Sequence, residues 1–376
     1  MNPYSFEDPV TDQKMFYGYH NEVKKIVERV TEQWSFFVLG GPRMGKTSLL
    51  QQVEHGLEAL GKKNTSRNAR QLVIPLYLDM RDIPATDKDF FGKVAKKLEQ
   101  FLDEHIFAHA IPSEVKISLD SVENAAEPFD SFAAVLLEIT EVMKPKELRL
   151  VLLVDDLWRK LGSETEIIFP RILRALLTPS EINYAVASVF TGSFYDLGVI
   201  GSSASPLENV LFDQSLHVLN KAQTLLLINE PTQNKIPAEV TQEIYQETGG
   251  HPFLIQYIMS HLYDREDWAY VTTEDVGQVI VKFEEEREDF KDWFKKLSEI
   301  DRKVYKVFCQ VELGMETQIC IDDLLHMMKF DIPNVNWPVI RDALNALATT
   351  GLIRETNEDC YELAGQWPAR WFRRMW

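Results

Sequence analysis

The feature that most constrains how this chain can fold is a glycine-rich segment of eight residues near its start. It matches every fixed position of the pattern G-x-x-x-x-G-K-[ST]. The matching residues are Gly40, Gly41, Pro42, Arg43, Met44, Gly45, Lys46 and Thr47. An apolar run of strand length, residues 35–39, comes directly before the segment, and a helical pattern resumes at Ser48. This order of strand, tight loop and helix indicates a phosphate-binding loop, whereas the alternative is a plain glycine-rich turn before a helix.

The backbone of such a loop explains its chemistry. Amide N–H groups turned inward at a helix N-terminus offer fixed partial positive charge to the phosphates of a nucleotide, and glycines let the backbone come close. Lys46 is expected to reach the β- and γ-phosphates, and the Thr47 hydroxyl is expected to ligate Mg²⁺. The other loop residues and Ser48 are predicted to line the same site. Lys46 is therefore also a candidate catalytic residue.

A second strand carries the acidic residues that such a loop needs, because Mg²⁺ prefers hard oxygen ligands. The apolar residues 150–154 end in Asp155 and Asp156. We expect this strand to lie beside the strand of residues 35–39, so that Asp155 emerges at the carboxyl edge of the sheet as a metal ligand. Asp156 is the candidate for orienting or activating water. Alternatively, the two carboxylates begin a loop and cap the next helix.

Further apolar runs predict the rest of the core. They lie at residues 72–78, 148–154 and 184–190, with a weaker run at 215–219. Segments long enough for helices separate them, which indicates an α/β fold with a parallel sheet covered on both faces. From about residue 220 the pattern is helical, and a helix is predicted to begin at Pro252, after Gly249 and Gly250.

The last eighty or so residues form a pattern of their own. Helices are predicted at residues 298–311, 321–329 and 337–349, and two short strands at residues 352–354 and 361–363. Three helices followed by a hairpin indicate a winged helix, and the acidic residues 284–289 mark a boundary before it. The predicted domains are an N-terminal nucleotide-site segment and helix (1–33), a P-loop core (34–220), a helical lid (221–290) and the winged helix (291–376).

Charge and composition narrow the classes of protein that fit. The 376 residues include 58 acidic and 40 basic side chains, and the net charge of −18 opposes coating by nucleic acid. A signal peptide and a membrane-length apolar run are both missing from the sequence, so we expect a cytoplasmic protein without membrane contact. Cys309, Cys320 and Cys360 stand far apart and are predicted to be free thiols rather than a disulfide or a zinc site.

Together these motifs resemble those of the STAND branch of the AAA+-like P-loop ATPases, especially the archaeal-ATPase type found in prokaryotes. The resemblance spans nearly the whole chain. Its marks are Phe16-Tyr17-Gly18 before the first helix, the loop continued by Ser48-Leu49-Leu50, the pair Asp155-Asp156, the sensor-like strand Val189-Phe190-Thr191-Gly192-Ser193 and the segment Gly249-Gly250-His251-Pro252. It implies an AAA+-like core followed by a helical lid and a winged helix, with ATP or ADP and Mg²⁺ as ligands.

The resemblance also implies a mechanism and further site residues. In that family ADP generally holds a closed, inactive arrangement of core, lid and winged helix, and exchange for ATP opens it. By position, His251 and Pro252 would contact the base or ribose, and Phe16 and Gly18 would line the adenine side. For His251, the alternative is that its side chain satisfies a helix end.

The chain departs from the family at two places. Tyr19 stands where the family often has Arg, and the sensor-like strand ends without the Arg of some relatives. Arg171 and Arg174 are candidate arginine fingers for a neighbouring subunit's phosphate, the alternative being two surface arginines on a helix.

Two functions fit these features. The resemblance implies an ATP/ADP switch with slow Mg²⁺-dependent hydrolysis that regulates a separate partner or effector protein, because the predicted domains leave no room for a fused effector; homo-oligomerisation on ATP binding belongs to this expectation. The alternative is an initiator- or transposition-type ATPase that binds DNA through its winged helix. Residues 296–376 hold ten basic and twelve acidic side chains, so DNA is not favoured. The basic and aromatic residues 370–376 are interpreted as a packed C-terminal helix with an exposed basic edge.

Overall fold

The structure, a computed structural model, describes residues 2–64, 71–81, 87–104, 119–144, 147–156, 186–193, 210–263, 268–310, 318–329 and 335–376. The chain divides into two compact units. One, here the sheet unit, comprises residues 20–39 and 46–214; the other, the helical unit, comprises residues 1–19, 40–45 and 215–376. The predicted phosphate loop therefore contributes residues 40–45 to the helical unit and residues 46–47 to the sheet unit.

The sheet unit contains a five-stranded parallel sheet in the order β2-β3-β4-β1-β5. Its strands are β1 (Ser35–Leu39), β2 (Gln71–Asp79), β3 (Glu147–Asp155), β4 (Val186–Gly192) and β5 (Leu211–Ser215). Its helices are α1 (His20–Thr31), α2 (Lys46–Asn64), α3 (Asp87–Glu104) and α4 (Pro128–Val142). Strands β1 and β4 are buried throughout, which explains their continuous apolar sequences. The prediction of a parallel α/β sheet is confirmed.

Side chains of β2 and β3 alternate between two faces of the sheet. Leu78 and Val154 belong to an apolar core with Phe90 of α3 and Phe132 of α4. On the opposite face, Asp155 accepts a hydrogen bond from Thr47, which lies in the first turn of α2. The Asp155 side chain at the carboxyl end of β3 therefore lies on the face of the sheet that α2 covers.

Two expectations about the sheet are wrong. Strand β3 does not lie beside β1, because β4 pairs with both of them. The runs of β3 and β4 are both apolar, so their composition cannot order them across the sheet. Residues 215–219 do not form a strand either, because β5 ends at Ser215. At the edge of the sheet β5 keeps exposed positions and so lacks the continuous apolar run on which the prediction relied.

Helices make up the middle of the helical unit. They are α5 (Lys221–Asn229), α6 (Ala238–Thr248), α7 (Pro252–Leu262), α8 (Thr273–Glu286) and α9 (Asp289–Lys296). Gly249 ends α6 with a φ of 62°, and Pro252 is the first residue of α7, as predicted. No helix in the described part of the chain is both long enough and apolar enough to cross a lipid bilayer.

The C-terminal part of this unit contains the predicted helices and hairpin. Its elements are α10 (Glu299–Gln310), β6 (Ile319–Cys320), α11 (Ile321–Met328), α12 (Trp337–Thr349), β7 (Ile353–Asn357), β8 (Cys360–Leu363) and α13 (Gln366–Met375). The strands form an antiparallel sheet in the order β6-β8-β7. Trp367 and Phe372 of α13 are buried, whereas Arg373 and Arg374 are exposed, which confirms a packed helix with a basic edge. The assignment of this part as a winged helix stays a prediction.

The expectation of three free thiols is wrong for two of the cysteines. Cys320 and Cys360 form a disulfide, and they lie opposite each other where β6 pairs with β8. They are 40 residues apart in the sequence, and only the antiparallel pairing brings them together. Cys309 is a free, buried thiol, as predicted.

Candidate nucleotide-binding site

The predicted phosphate loop joins the buried strand β1 to the first residue of α2, Lys46. Arg43 and Gly45 both have positive φ angles, 61° and 88°. Conformations of this kind turn neighbouring N–H groups to the same side, and such concave backbone segments bind anions. Only the glycine adopts this geometry without steric cost, so Gly45 is required by the backbone as well as by the motif.

The first half of the loop contacts the end of α12 within the helical unit. The Gly41 N–H donates to the carbonyl oxygen of Thr349 at 2.7 Å. A Cβ atom at Gly41 would lie 2.5 Å from Cα of Thr350, so no other residue fits there without a backbone shift. Met44 is fully buried, and its Sδ would lie 3.2 Å from a Cβ at Gly351. Between these contacts and strand β1, Gly40 is buried and Pro42 is half-buried.

Arg43 points to different neighbours. Its Nη1 donates to the carbonyl oxygen of Glu7 at 3.2 Å, and its guanidinium lies 5.3 Å from the centre of the Phe253 ring. The carboxylate of Asp289 is 4.0 Å from its Nε. Arg43 therefore links the loop to the N-terminal segment, to α7 and to the start of α9.

The N-terminal motif contacts the segment that leads into α5. Gly18 has a φ of 104°, and a Cβ there would lie 2.3 Å from a methyl carbon of Leu219. Its carbonyl oxygen accepts a hydrogen bond from the side chain of Gln223 at 3.1 Å. Phe16 is buried, with its ring 6.3 Å from that of Tyr19. The roles of Phe16 and Gly18 beside adenine remain predictions.

His251 and Pro252 lie at the start of α7. The His251 side chain is buried and does not cap the helix, which argues against the interpretation that it satisfies the helix end. Its ring stacks on Trp293 with 4.9 Å between ring centres, and its Cδ2 would lie 3.1 Å from a Cβ at Gly351. His251 thus lies beside the same Gly351 that faces Met44 of the loop, and contact with a base or ribose remains a prediction.

The acidic residues and the second half of the loop come together in the sheet unit. Asp155 is 2% exposed and accepts hydrogen bonds from three hydroxyl groups. These are Thr47 at 2.7 Å, Thr191 at 2.6 Å and Tyr77 at 3.1 Å. Hydroxyl groups orient a carboxylate but bring no charge to compensate it, and a buried negative charge is costly without a cation. The donor set and the charge therefore suit a divalent ion such as Mg²⁺, with Thr47 and Asp155 as its protein ligands.

Asp156 follows in a left-handed conformation, with a φ of 55°. Its backbone N–H donates to Oγ1 of Thr191 at 3.0 Å, and the same hydroxyl group donates to Asp155. Thr191 of strand β4 therefore positions the Asp155 carboxylate and the backbone of Asp156. The alternative role of Asp156 as a helix cap falls on residues 157–185, which lie outside the described residues, as do the candidate arginine fingers Arg171 and Arg174.

Sequence reasoning missed the residues of β2 and gave Thr191 no role of its own. Tyr77 donates to Asp155, and burial together with the Asp155 charge raises the pKa of its phenol. Asp79 lies opposite Asp155 in the β2–β3 register, and Arg81 binds Asp79. The available signal was the alternation of Tyr77 and Asp79 at the end of an otherwise apolar run, which places them on one face of the strand, with Arg81 directly after the strand.

Comparison with known proteins bears on the fold. No protein-family model matches the sequence, and no curated protein matches it. The chain is similar to the Walker-type ATPase of Pyrococcus abyssi, with 15% sequence identity, a TM-score of 0.59 and coverage of 98% of this chain and 99% of that one. It also matches Drosophila ORC bound to DNA (13% identity, TM-score 0.44, 96% and 88% coverage) and the Aeropyrum pernix Orc1 protein in complex with DNA (12%, 0.43, 98% and 94%). The first similarity shows that this chain shares the overall fold of that ATPase, and the parallel sheet with flanking helices fits an α/β core of the P-loop NTPase type.

Proposed function

We propose that the protein is an ATP- and ADP-binding switch of the STAND type, which hydrolyses ATP slowly with Mg²⁺ and regulates a separate partner protein. Its ATPase chemistry is supported by the P-loop fold, by the loop at the start of α2 and by the buried Asp155 beside Thr47. Lys46 would bind the phosphates, Thr47 and Asp155 would hold the metal, and Asp156 would orient the attacking water. The parts of the chain that respond would be the predicted lid and winged helix.

One observation favours a nucleotide-dependent switch over an ATPase that has no regulatory role. The Gly41 amide of the phosphate loop is bonded to Thr349, at the end of the third helix of the predicted winged helix. If the loop changes conformation when it binds phosphates, the hydrogen bond between Gly41 and Thr349 is affected directly. Because binding and contact involve the same backbone, each nucleotide can favour a different arrangement of the C-terminal elements through its differential affinity.

The alternative of DNA binding gains no support from three arginines of the C-terminal elements, which are paired with acidic residues. Arg341 of α12 pairs with Asp359 and stacks on the ring of Trp337. Arg370 and Arg374 of α13 pair with Glu247 and Glu284. Arginines engaged in this way must give up their partners before they bind phosphates, which lowers the gain from counterion release.

The switch can be tested with Lys46→Ala and Asp156→Ala. Wild-type protein should bind ADP and Mg·ATP and release phosphate slowly. Loss of Lys46 should weaken binding of both nucleotides at least about tenfold, because a charge-assisted contact contributes about 1.5–3 kcal/mol. Asp156→Ala should bind ATP normally and lose turnover. Hydrogen exchange at residues 40–45 and 347–352 should differ between the ADP and ATP states of wild type, and Asp156→Ala should keep the ATP pattern.

Lys144→Ala provides the matched control, because Lys144 is an exposed lysine of the sheet unit paired with Glu141 on the surface. It should behave as wild type. Unchanged nucleotide affinity in Lys46→Ala would contradict the loop assignment. Hydrogen exchange that is identical with ADP and Mg·ATP would leave an ATPase but reject the switch.

A further inference from the structure

A row of polar side chains at the carboxyl end of strand β2, and in the turn that follows it, borders the candidate metal ligand. Tyr77, Asp79 and Arg81 occupy alternate positions, while Leu78 and Met80 between them belong to the buried apolar core. Tyr77 and Asp79 are alternate residues of β2 and so share the face opposite Leu78, whereas Arg81 lies just past the end of the strand and is joined to them through Asp79. Asp79 lies opposite Asp155 in the strand register, and the Met80 N–H donates to the Asp155 carbonyl oxygen at 3.1 Å.

Arg81 is held in this row by Asp79. Its Nε lies 3.0 Å and 2.9 Å from the two carboxylate oxygens of Asp79, and its Nη2 lies 2.5 Å from Oδ2. The backbone N–H of Arg81 also donates to the same carboxylate at 2.9 Å. The Asp79 side chain is 16% exposed and that of Arg81 is 54% exposed. A planar guanidinium in a fork of this kind is fixed in direction and keeps its positive charge beside Asp79.

Arg81 also changes the charge of this edge of the sheet. Three carboxylates, those of Asp79, Asp155 and Asp156, lie at neighbouring strand ends. The hydrogen bonds to Asp79 raise the pKa of Arg81, and the charges of Asp155 and Asp156 act in the same direction, so the guanidinium stays positive. The hydroxyl groups that bind Asp155 bring no charge. Arg81 thus offsets part of the negative charge before any metal is bound.

We propose that Arg81 is a resident counter-cation that keeps the nucleotide-free acidic edge from recruiting a divalent ion on its own. With Arg81 in place, the edge attracts the ion strongly enough only when the phosphate oxygens of a nucleotide add their own negative charge. The same ion pair holds the carboxylate of Asp79 away from the metal shell. This inference rests on the metal site of the proposed function, and it makes Arg81 a specificity-determining residue of that site rather than a ligand.

Titration of Mn²⁺, followed by electron paramagnetic resonance on the nucleotide-free full chain, tests the proposal. Arg81→Gln should tighten Mn²⁺ binding at least about tenfold, because it removes one positive charge close to three carboxylates. Arg81→Lys keeps the charge and should stay within about threefold of wild type. Arg29→Gln is the matched control, since Arg29 forms an exposed ion pair with Glu32 in the same unit, and it should leave Mn²⁺ affinity unchanged.

A second comparison locates the ion. Asp155→Asn added to Arg81→Gln should abolish the gained affinity. The proposal is overturned if Arg81→Gln binds Mn²⁺ no more tightly than wild type, or if the gained affinity survives Asp155→Asn. Arg81→Met replaces Arg81→Gln should the latter fail to fold. If wild-type protein fails to bind Mg·ATP, the proposed function is rejected. A gain in Mn²⁺ affinity in Arg81→Gln that depends on Asp155 would still support the role of Arg81.

Discussion

At the scale of single residues, Thr191 connects the two halves of the acidic pair. Its hydroxyl group accepts from the Asp156 N–H and donates to the Asp155 carboxylate, and the residue is fully buried. Buried hydroxyl groups with both roles filled are hard to replace, because removal strands two polar partners. Thr191 therefore positions Asp155 and Asp156 even before a nucleotide binds.

Thr191→Val should show this directly, because valine has the same shape but no hydroxyl group. We expect the free energy of unfolding to fall by about 1–3 kcal/mol and the Mg²⁺ concentration for half-maximal ATP hydrolysis to rise about tenfold. Thr191→Ser should restore both values to near wild type. The measurements are thermal unfolding and a Mg²⁺ titration of phosphate release. An unchanged Mg²⁺ requirement in Thr191→Val would assign Thr191 to packing alone.

The candidate site was partly predictable at this scale. The loop pattern identified residues 40–47, and the apolar run before Asp155 placed that carboxylate at a strand end, because both signals are local in the sequence. Tyr77 and Arg81 were missed, since their roles depend on β2 pairing with β3, and register between distant strands leaves no mark in either segment.

At the scale of elements, the disulfide joins β6 to β8 and so ties the start of α11 to the hairpin. The bond also closes a loop of 40 residues that contains α12. Cross-links of this length stabilise mainly by restricting the unfolded chain. The stability of the elements that the disulfide joins should therefore depend on redox conditions.

Cys320→Ser should lower the free energy of unfolding by about 3–4 kcal/mol under oxidising conditions and leave it equal to that of wild type in excess dithiothreitol. Chemical denaturation with and without the reductant measures the difference. Cys309→Ala serves as the control for redox dependence, because burial raises the pKa of the Cys309 thiol to about 12 and keeps it unreactive. A Cys320→Ser variant as stable as wild type without reductant would show that the cross-link does not contribute.

Elements were more predictable than their arrangement. Helix α12 and the hairpin strands lie close to their predicted bounds, because Asn336 before Trp337 and the turn at residues 357–359 are local signals. The insertion of β4 between β1 and β3 was not predicted. Buried parallel strands are uniformly apolar, and no residue of β3 or β4 specifies its neighbour.

At the scale of the whole molecule, the proposed switch predicts two assembly states. With Mg·ATP, Asp156→Ala should shift in mass or in bound partner relative to the ADP state, because hydrolysis no longer resets it. Light scattering after size-exclusion chromatography measures the mass, and affinity purification identifies a bound partner. Each measurement is made once with ADP and once with Mg·ATP. The net charge of −18 favours a partner with a basic face, so partner binding should weaken as salt rises. Equal mass and no partner with either nucleotide would contradict the proposal.

The path of the chain has a practical consequence for dissecting this protein. The polypeptide leaves the sheet unit after Leu39, spends six residues in the helical unit and returns at Lys46. The chain also passes from one unit to the other between residues 19 and 20 and between residues 214 and 215. No single cut in the gene can therefore yield either half as one continuous polypeptide, and deletions made to isolate one half will sever the glycine-rich turn itself.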